Sequence, residues 1–228
     1  MANTLTLLRL RKGLLMDELK VFILCAGEAR RFGGTLKQLL KLGDTCILGR
    51  QLTQLNERGL SPTVVTLNPE IKGYSEQFDA TVISPSLQTL TTCDTILFTA
   101  PYWDEHTIIL LGDVIYSNRI LDEILTLEGD IRAFGHKFEM FALSFHRPVY
   151  DKVLAALRRG TRHPFGKVRH FYHEYINIPV DTPWKPGIPP EEEIAYYVNC
   201  NITRDVDSLD FYQTAIHELI TKGRLGDN

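Results

Sequence analysis

A basic, glycine-bearing segment follows the first strongly apolar stretch of the sequence. Residues 24–37 read Leu-Cys-Ala-Gly-Glu-Ala-Arg-Arg-Phe-Gly-Gly-Thr-Leu-Lys. Backbone amides at such a turn can point at phosphate oxygens, and arginine and lysine supply the countercharge. The segment lacks both the Gly-Lys-Ser/Thr ending of a P-loop and the Gly-x-Gly-x-x-Gly of a dinucleotide fingerprint. It therefore predicts a phosphate-binding loop of another kind, with a solvated basic connector as the plain alternative.

A carboxylate stands at the end of a later apolar stretch. Residues 107–114 read Thr-Ile-Ile-Leu-Leu-Gly-Asp-Val. Open α/β sheets bind their ligands at the carboxyl ends of the strands. A carboxylate in that position can hold Mg²⁺ against the oxygens of a triphosphate. Asp113 is therefore the candidate metal ligand, and the alternative is that it only caps the following turn.

The elements that must carry these residues alternate between strand and helix patterns. In the first half we predict strands at 20–25, 63–67, 80–83 and 107–111, with helices at 47–59, 70–78 and 87–100. Such alternation indicates βαβ units and a parallel sheet. The second half predicts helices at 118–127, 150–159 and 208–222, strands at 131–134, 138–145 and 196–198, and a proline-rich loop at 182–190. Residues 131–145 read as a hairpin, so we expect a mixed sheet.

Composition and charge exclude several classes of protein. The chain has 228 residues, of which 44% are hydrophobic and 23% charged, and its net charge is −3. The length suits one domain, expected at 17–228, preceded by an extension at 1–16. The charge is too close to neutral for a protein that coats nucleic acid. No apolar run approaches the roughly 20 residues that cross a bilayer.

Cysteine spacing and the first residues point to the cytoplasm. The four cysteines, at positions 25, 46, 93 and 200, never approach the Cys-x-x-Cys spacing of a zinc or redox site. We interpret them as reduced thiols. Arg9, Arg11 and Lys12 follow the first leucines instead of preceding them, which is the wrong order for a signal peptide. We expect a cytoplasmic protein with no membrane partner.

The loop after the first strand resembles the signature of the nucleotide-diphospho-sugar transferase superfamily, in its nucleotidyltransferase branch. That signature is Leu-x-Ala-Gly-x-x-x-Arg-x-Gly with a lysine further on, and it is filled here by Leu24, Ala26, Gly27, Arg31, Gly33 and Lys37. The resemblance implies a GT-A-like, Rossmann-type three-layer α/β/α sandwich on a mixed, mainly parallel sheet with a small antiparallel insert. It also implies a nucleoside triphosphate substrate gripped by Arg31 and Lys37, and Mg²⁺ as the cofactor.

Other parts of the chain extend the same resemblance. Asp113 matches the metal-binding aspartate of the family, and Gly112 and Glu28 fall among its nucleotide-binding positions. Residues 198–206 resemble a segment near the end of several members, which would make Asn199 a second metal ligand. Turn formation is the alternative for Asn199. Residues 84–90 correspond to the region that lines the nucleobase, where the candidates are Ser86, Gln88 and Thr89. Helix capping explains Ser86 equally well.

The acceptor side is the least defined by sequence. Residues 158–172 contain four arginines, one lysine and two histidines, interleaved with aromatic residues. This stretch could bind an anionic acceptor such as a sugar phosphate, or it could be a solvated loop. The histidines at 163, 170 and 173 lack a carboxylate at helical metal spacing beyond Glu174, so no zinc site is predicted.

The expected function is that of a Mg²⁺-dependent nucleotidyltransferase of the kind used in sugar-nucleotide biosynthesis. An acceptor phosphate would attack the α-phosphorus of a nucleoside triphosphate, and pyrophosphate would leave. The alternatives are a glycosyltransferase of the same fold, although residues 112–115 lack its Asp-x-Asp, and a non-catalytic nucleotide-binding protein. The expected partners are the triphosphate and a small phosphorylated acceptor, without nucleic acid. The sequence leaves the base, the acceptor and a homo-oligomer open.

Overall fold

The structure is a computed structural model, and it describes residues 18–27, 36–85, 91–126, 129–136, 139–163, 166–177, 179, 204–205 and 212–213. Its strands are β1 Leu19–Leu24, β2 Lys41–Leu42, β3 Thr45–Cys46, β4 Thr63–Val65, β5 Thr81–Ile83, β6 His106–Leu111, β7 Val114–Ile115, β8 Ile131–His136, β9 Glu139–His146 and β10 Arg204–Asp205. Its helices are α1 Ile47–Asn56, α2 Pro69–Ser75, α3 Thr92–Thr99, α4 Asn118–Thr126, α5 Tyr150–Gly160 and α6 Val168–Tyr175.

Six of the strands form one mixed sheet in the order β5-β4-β1-β6-β9-β8. The first four run parallel, because a helical crossover connects each of them to the next one along the chain. The hairpin β8–β9 then adds two antiparallel strands, with β9 paired directly to β6. The expected antiparallel insert is therefore an extension of the main sheet. Two short antiparallel pairs, β2–β3 and β7–β10, lie outside it.

Alternate residues of β1 face two different hydrophobic cores. Val21 and Ile23 belong to one core, with α1 and α4 packed over them. Phe22 and Leu24 belong to the other core, which α3, α5 and α6 cover. A strand buried on both faces needs an unbroken apolar run, and β1 has one. The chain therefore forms the expected three-layer, Rossmann-type α/β/α fold.

Local signals in the sequence explain where several helices begin. Asn68 caps α2, since its side-chain oxygen accepts hydrogen bonds from the amides of Glu70 and Ile71 at 2.8 and 3.2 Å. Pro69 occupies the first turn of that helix, where a missing N–H costs nothing. Thr91 caps α3 in the same way, accepting from the amide of Asp94 at 3.1 Å.

The sequence analysis did not predict α6 at all. Val168, Phe171, Tyr172 and Tyr175 face the second core from this helix, and all four are buried. The proline-rich loop at 182–190, the strand at 196–198 and the N-terminal extension lie outside the described residues, as does most of the helix at 208–222. None of the helices in the described part is long and apolar enough to span a membrane.

Candidate active site

The candidate site begins where the two central strands end side by side. Leu24, the last residue of β1, is in register with Leu111, the last residue of β6. The amide of Gly112 donates to the carbonyl of Leu24 at 3.0 Å, so the pairing continues one residue beyond the strand. The turns that leave both strands therefore start from the same point on the carboxyl edge of the sheet.

Gly112 has no room for a side chain. A Cβ on this residue would lie 2.3 Å from Cys25 Sγ and 2.9 Å from the carbonyl oxygen of Leu24. Glycine is required here because the turn after β6 passes directly against the exit of β1. This close approach fixes where the next residue, Asp113, leaves the sheet.

Lys37 and Asp113 meet at this edge although 76 positions separate them in the sequence. Lys37 Nζ lies 3.5 Å from Asp113 Oδ2, with side-chain exposures of 11% and 25%. Lys37 begins a 3₁₀ turn, Lys37–Leu39, and both Leu39 and the preceding Leu36 pack on the first core. Among the described residues, the site thus presents one ammonium and one carboxylate, both largely withdrawn from solvent.

A buried tyrosine secures the end of β6 behind Asp113. The Tyr116 hydroxyl accepts a hydrogen bond from the amide of Leu111 at 3.0 Å and donates one to the carbonyl of Phe141 at 2.7 Å. Sequence reasoning missed Tyr116, since its second partner comes from another strand and leaves no local signal.

Cys25 lies beneath the turn as a neutral thiol. Burial raises its pKa well above the usual range, and the charge of Asp113 and the neighbouring Cys46 raise it further. A protonated thiol carries no charge at neutral pH. Among these neighbours, the fixed charges are therefore those of Lys37 and Asp113.

The C-terminal part of the chain returns to the same turn. Asp205 of β10 is in register with Val114 of β7, the residue that follows Asp113. This pairing brings the backbone of residues 204–205 next to the candidate metal ligand, Asp113. Asn199 itself is outside the described residues.

The turn between α5 and α6, within the basic stretch, also reaches the carboxyl edge of the sheet. The amide of Cys93, at the start of α3, donates to the carbonyl of Gly166 at 2.9 Å. A Cβ on Gly166 would lie 2.3 Å from Thr91 Oγ1, so the α5–α6 turn is docked tightly on that helix start. Because α3 follows the end of the parallel strand β5, this turn lies on the edge where Lys37 and Asp113 lie.

Charged groups in the α5–α6 hairpin divide into an internal ion pair and an exposed set. Arg159 Nε and His163 Nε2 contact the two carboxylate oxygens of Glu174 at 2.7 and 3.1 Å. The hydrogen bond from His163 is the main cause that lowers the pKa of Glu174, and Arg159 contributes as well. Arg162, Lys167 and Arg169 are exposed. Residues 158–160 and 168–172 of the stretch are helical, so the stretch is not a loop throughout.

The described part of the chain contains only some of the predicted site residues. Leu24, Ala26, Gly27, Lys37, Gly112 and Asp113 are described, and they come together at the exits of β1 and β6. Seven others lie outside the described residues, namely Glu28, Arg31, Gly33, Ser86, Gln88, Thr89 and Asn199. The roles assigned to the residues of both groups remain predictions.

The metal-ligating side chains at this edge suit Mg²⁺ better than they suit a metal whose ligands all come from the protein. Within the described ranges no group of three or more His, Cys, Asp or Glu side chains could hold a metal ion. Mg²⁺ is usually bound through one or two carboxylates, with substrate phosphates and water completing its shell. A single partly exposed carboxylate at a strand end, Asp113, fits that requirement.

The mixed sheet and its two helical layers define a Rossmann-like α/β protein whose candidate site lies at the carboxyl edge of the sheet. A family model described as the MobA-like NTP transferase domain matches residues 21–175. The chain belongs to this family and is thus a nucleotidyltransferase, which confirms the resemblance found in the loop after β1. The match includes both Lys37 and Asp113.

Solved structures share this fold at low sequence identity. The CTP:phosphocholine cytidylyltransferase from Streptococcus pneumoniae is 11% identical, with a TM-score of 0.61 over 89% of this chain and 99% of that one. The inositol-1-phosphate CTP transferase from T. maritima is also 11% identical, with a TM-score of 0.63 over 89% of this chain and 95% of its own. No curated protein matches the chain. The TM-scores establish a common fold, and at identity this low the likeness establishes nothing beyond the fold.

Proposed function

We propose that this protein transfers a nucleoside monophosphate from a nucleoside triphosphate to a small phosphorylated acceptor, releasing pyrophosphate with Mg²⁺ as cofactor. The observation that carries the proposal is the 3.5 Å approach of Lys37 and Asp113 at the exits of β1 and β6. A triphosphate needs a cation for its oxygens and a carboxylate for its metal ion, and both are supplied at one point.

In the proposed reaction an oxygen of the acceptor phosphate forms a bond to the α-phosphorus. The bond from the α-phosphorus to the bridging oxygen of the β-phosphate breaks, and its electron pair leaves with pyrophosphate. An acceptor phosphate is already ionised at neutral pH, so no protein base has to remove a proton.

Lys37 would stabilise the negative charge that develops on the phosphoryl oxygens. Its ammonium lies beside Asp113 before substrate arrives, and the 3₁₀ turn that carries it packs on the core through Leu36 and Leu39. Preorganised donors of this kind contribute about 3 kcal/mol to the transition state. Arg31 would add a second cation from the same loop. Asp113, with Asn199 as a second ligand, would hold Mg²⁺, which neutralises phosphate charge when bound.

The acceptor is proposed to enter on the side of the α5–α6 turn. Arg162, Lys167 and Arg169 are exposed there, and the turn is docked on the start of α3, immediately after residues 86–90. Those residues are proposed to read the base through Ser86, Gln88 and Thr89. A cluster of cations beside the base suits an acceptor that carries phosphate. Both comparison proteins are named for phosphorylated compounds, phosphocholine and inositol 1-phosphate.

Pyrophosphate release tests the proposal directly. Purified protein is incubated with each of the four ribonucleoside triphosphates, a panel of phosphorylated acceptors, and either Mg²⁺ or EDTA. We expect release with one base and one acceptor class, and its loss in EDTA. Pyrophosphate release in none of the combinations would contradict the proposal. In a parallel assay with nucleotide sugars as donors, release of nucleoside diphosphate would instead support the glycosyltransferase alternative.

A pair of aspartate variants tests the assigned ligand. Asp113→Asn removes the charge at the strand exit, and we expect at least a hundredfold loss of kcat. Asp122→Asn is the matched control, because Asp122 is an exposed carboxylate that pairs with Arg58 on the outside of α4. Turnover that survives in Asp113→Asn at the level of Asp122→Asn would remove Asp113 from the mechanism.

A further inference from the structure

A buried amide on α1 holds both ends of the turn that carries Asp113. Gln51 Nε2 donates to the carbonyl of Leu111 at 3.0 Å and to the carbonyl of Val114 at 2.7 Å. These two carbonyls flank Gly112 and Asp113. Gln51 itself is only 1% exposed. One side chain from the neighbouring helix therefore bridges the whole turn.

The orientation of this amide is fixed by its partners. If the amide were turned over, Gln51 Oε1 would face two carbonyl oxygens, and three acceptors would repel one another. In the observed orientation Oε1 is buried and makes no hydrogen bond with any residue that the structure describes. An unsatisfied buried acceptor destabilises the fold. A methionine or leucine of similar size would avoid that cost but would leave the carbonyls of Leu111 and Val114 without this donor, so the glutamine at this position serves to hold the turn.

We propose that Gln51 is a positioning residue, which holds the Leu111–Val114 turn so that the Asp113 carboxylate stays directed toward Lys37 and the bound metal–triphosphate. The inference rests on the proposed function for its effect on turnover. Several contacts among the described residues hold the turn: Gln51 from one side, the Gly112 amide bonded to Leu24, the Tyr116 hydroxyl on Leu111, and the pairing of Val114 with Asp205. Of these, only Gln51 spans both ends.

Gln54 provides a matched control on the same helix. Its Nε2 donates to the carbonyl of Tyr116 at 3.2 Å and to Asn118 Oδ1 at 2.8 Å, and its own Oε1 is also buried without a partner in the described part. The two glutamines thus have the same chemistry and similar burial. They differ in what they hold, since Gln54 contacts the chain after the turn, away from Asp113.

Hydrogen exchange tests the structural half of the inference without any turnover. Gln51→Met and Gln54→Met each lose two hydrogen bonds while keeping the side-chain volume nearly constant. We expect faster exchange at residues 111–114 in Gln51→Met, including the Gly112 amide that bonds to Leu24. In Gln54→Met the faster exchange should be confined to residues 116–121. Equal exchange at 111–114 in both variants would overturn the inference.

Kinetics tests the functional half. In Gln51→Met we expect kcat to fall roughly ten- to a hundredfold, and the Mg²⁺ concentration for half-maximal rate to rise, as happens when groups behind a metal ligand are removed. Gln54→Met should lower the melting temperature about as much as Gln51→Met does, but its kcat should stay within about twofold of the wild-type value. Equal kcat values in the two variants would show that Gln51 is only structural.

The outcomes separate this inference from the proposed function. If wild-type protein releases no pyrophosphate, the proposed function fails, and the exchange pattern still decides whether Gln51 holds the turn. If wild type is active and Asp113→Asn is inactive while Gln51→Met is unimpaired, the proposed function stands and the role of Gln51 is wrong. Gln51→Glu adds a test of donation as opposed to shape, because a carboxyl group of the same size can donate at most one hydrogen bond.

Discussion

Replacing Gly112 by alanine is the sharpest test of how this site is built. The added Cβ would lie 2.3 Å from Cys25 Sγ and 2.9 Å from the carbonyl oxygen of Leu24, and the latter belongs to the central strand of the sheet. Either β1 or the turn must move. Overpacking of this kind costs about 1–3 kcal/mol, and two contacts below 3.0 Å place Gly112→Ala in the upper part of that range. Alanine also lowers the conformational entropy of the unfolded chain, which offsets about 0.4–1 kcal/mol of this loss of stability. The expected net loss is about 2 kcal/mol.

The assays are thermal unfolding and pyrophosphate release. For a chain of this size a loss of about 2 kcal/mol lowers the melting temperature by about 4–8 °C. A displacement of Asp113 by about 1 Å would lower kcat/KM about a hundredfold. Gly73→Ala is the control, because nothing lies within 4 Å of a Cβ on Gly73 in helix α2. That variant should be more stable by about 0.5–1 kcal/mol and fully active.

A second substitution checks the proposed cause. Cys25→Ala removes the sulfur that a Cβ on Gly112 would meet, but it leaves the carbonyl of Leu24 in place. The double variant should therefore be more stable than the sum of the single effects by about 0.5–1 kcal/mol, and it should still be less stable than Cys25→Ala alone. A Gly112→Ala protein with an unchanged melting temperature and unchanged kcat/KM would refute the reasoning, because it would show that the two strand exits can separate at no cost.

Two further predictions concern stability away from the site. Burial, and secondarily the stacked His146 ring, lower the pKa of His106 to about 4. The folded state therefore favours the neutral form of His106. The stability that His106 contributes is present above its unfolded pKa of about 6.5 and is lost as pH falls toward 4. From His106 we expect about 2 kcal/mol less stability at pH 5 than at pH 7, and His106→Gln should remove that difference in urea unfolding; an unchanged difference would contradict it. Asn68→Ala should cost about 1 kcal/mol, and Asn68→Asp much less, since the cap on α2 accepts from two amides; equal losses in both would show that the cap contributes nothing.

Apolar residues at helical spacing predict helices from sequence, as a comparison of α1 and α6 shows. Helix α1 begins at Ile47 as predicted, because its apolar residues recur at helical spacing. Helix α6 carries the same signal, with Val168, Phe171, Tyr172 and Tyr175 at positions i, i+3, i+4 and i+7. The arginines and histidines between them suggested a basic stretch and hid the pattern. The sequence therefore contains the signal for α6, but the charged residues between its apolar positions obscure that signal.

The types of chemical group at the site, and their place after apolar strands, were determined by the sequence itself. A basic glycine loop after one buried run and an aspartate after another are local features, and they predicted Lys37 and Asp113 as partners of a phosphate and a metal. Their approach to 3.5 Å was decided only by tertiary structure, because it depends on β1 and β6 being neighbours in register. The same holds for Gln51, whose two carbonyl partners lie 60 and 63 positions away and leave no trace in local spacing. A strand pattern specifies which residues leave a sheet at one edge, whereas the order of the strands, set by the crossovers and by burial on both faces, decides which of them meet.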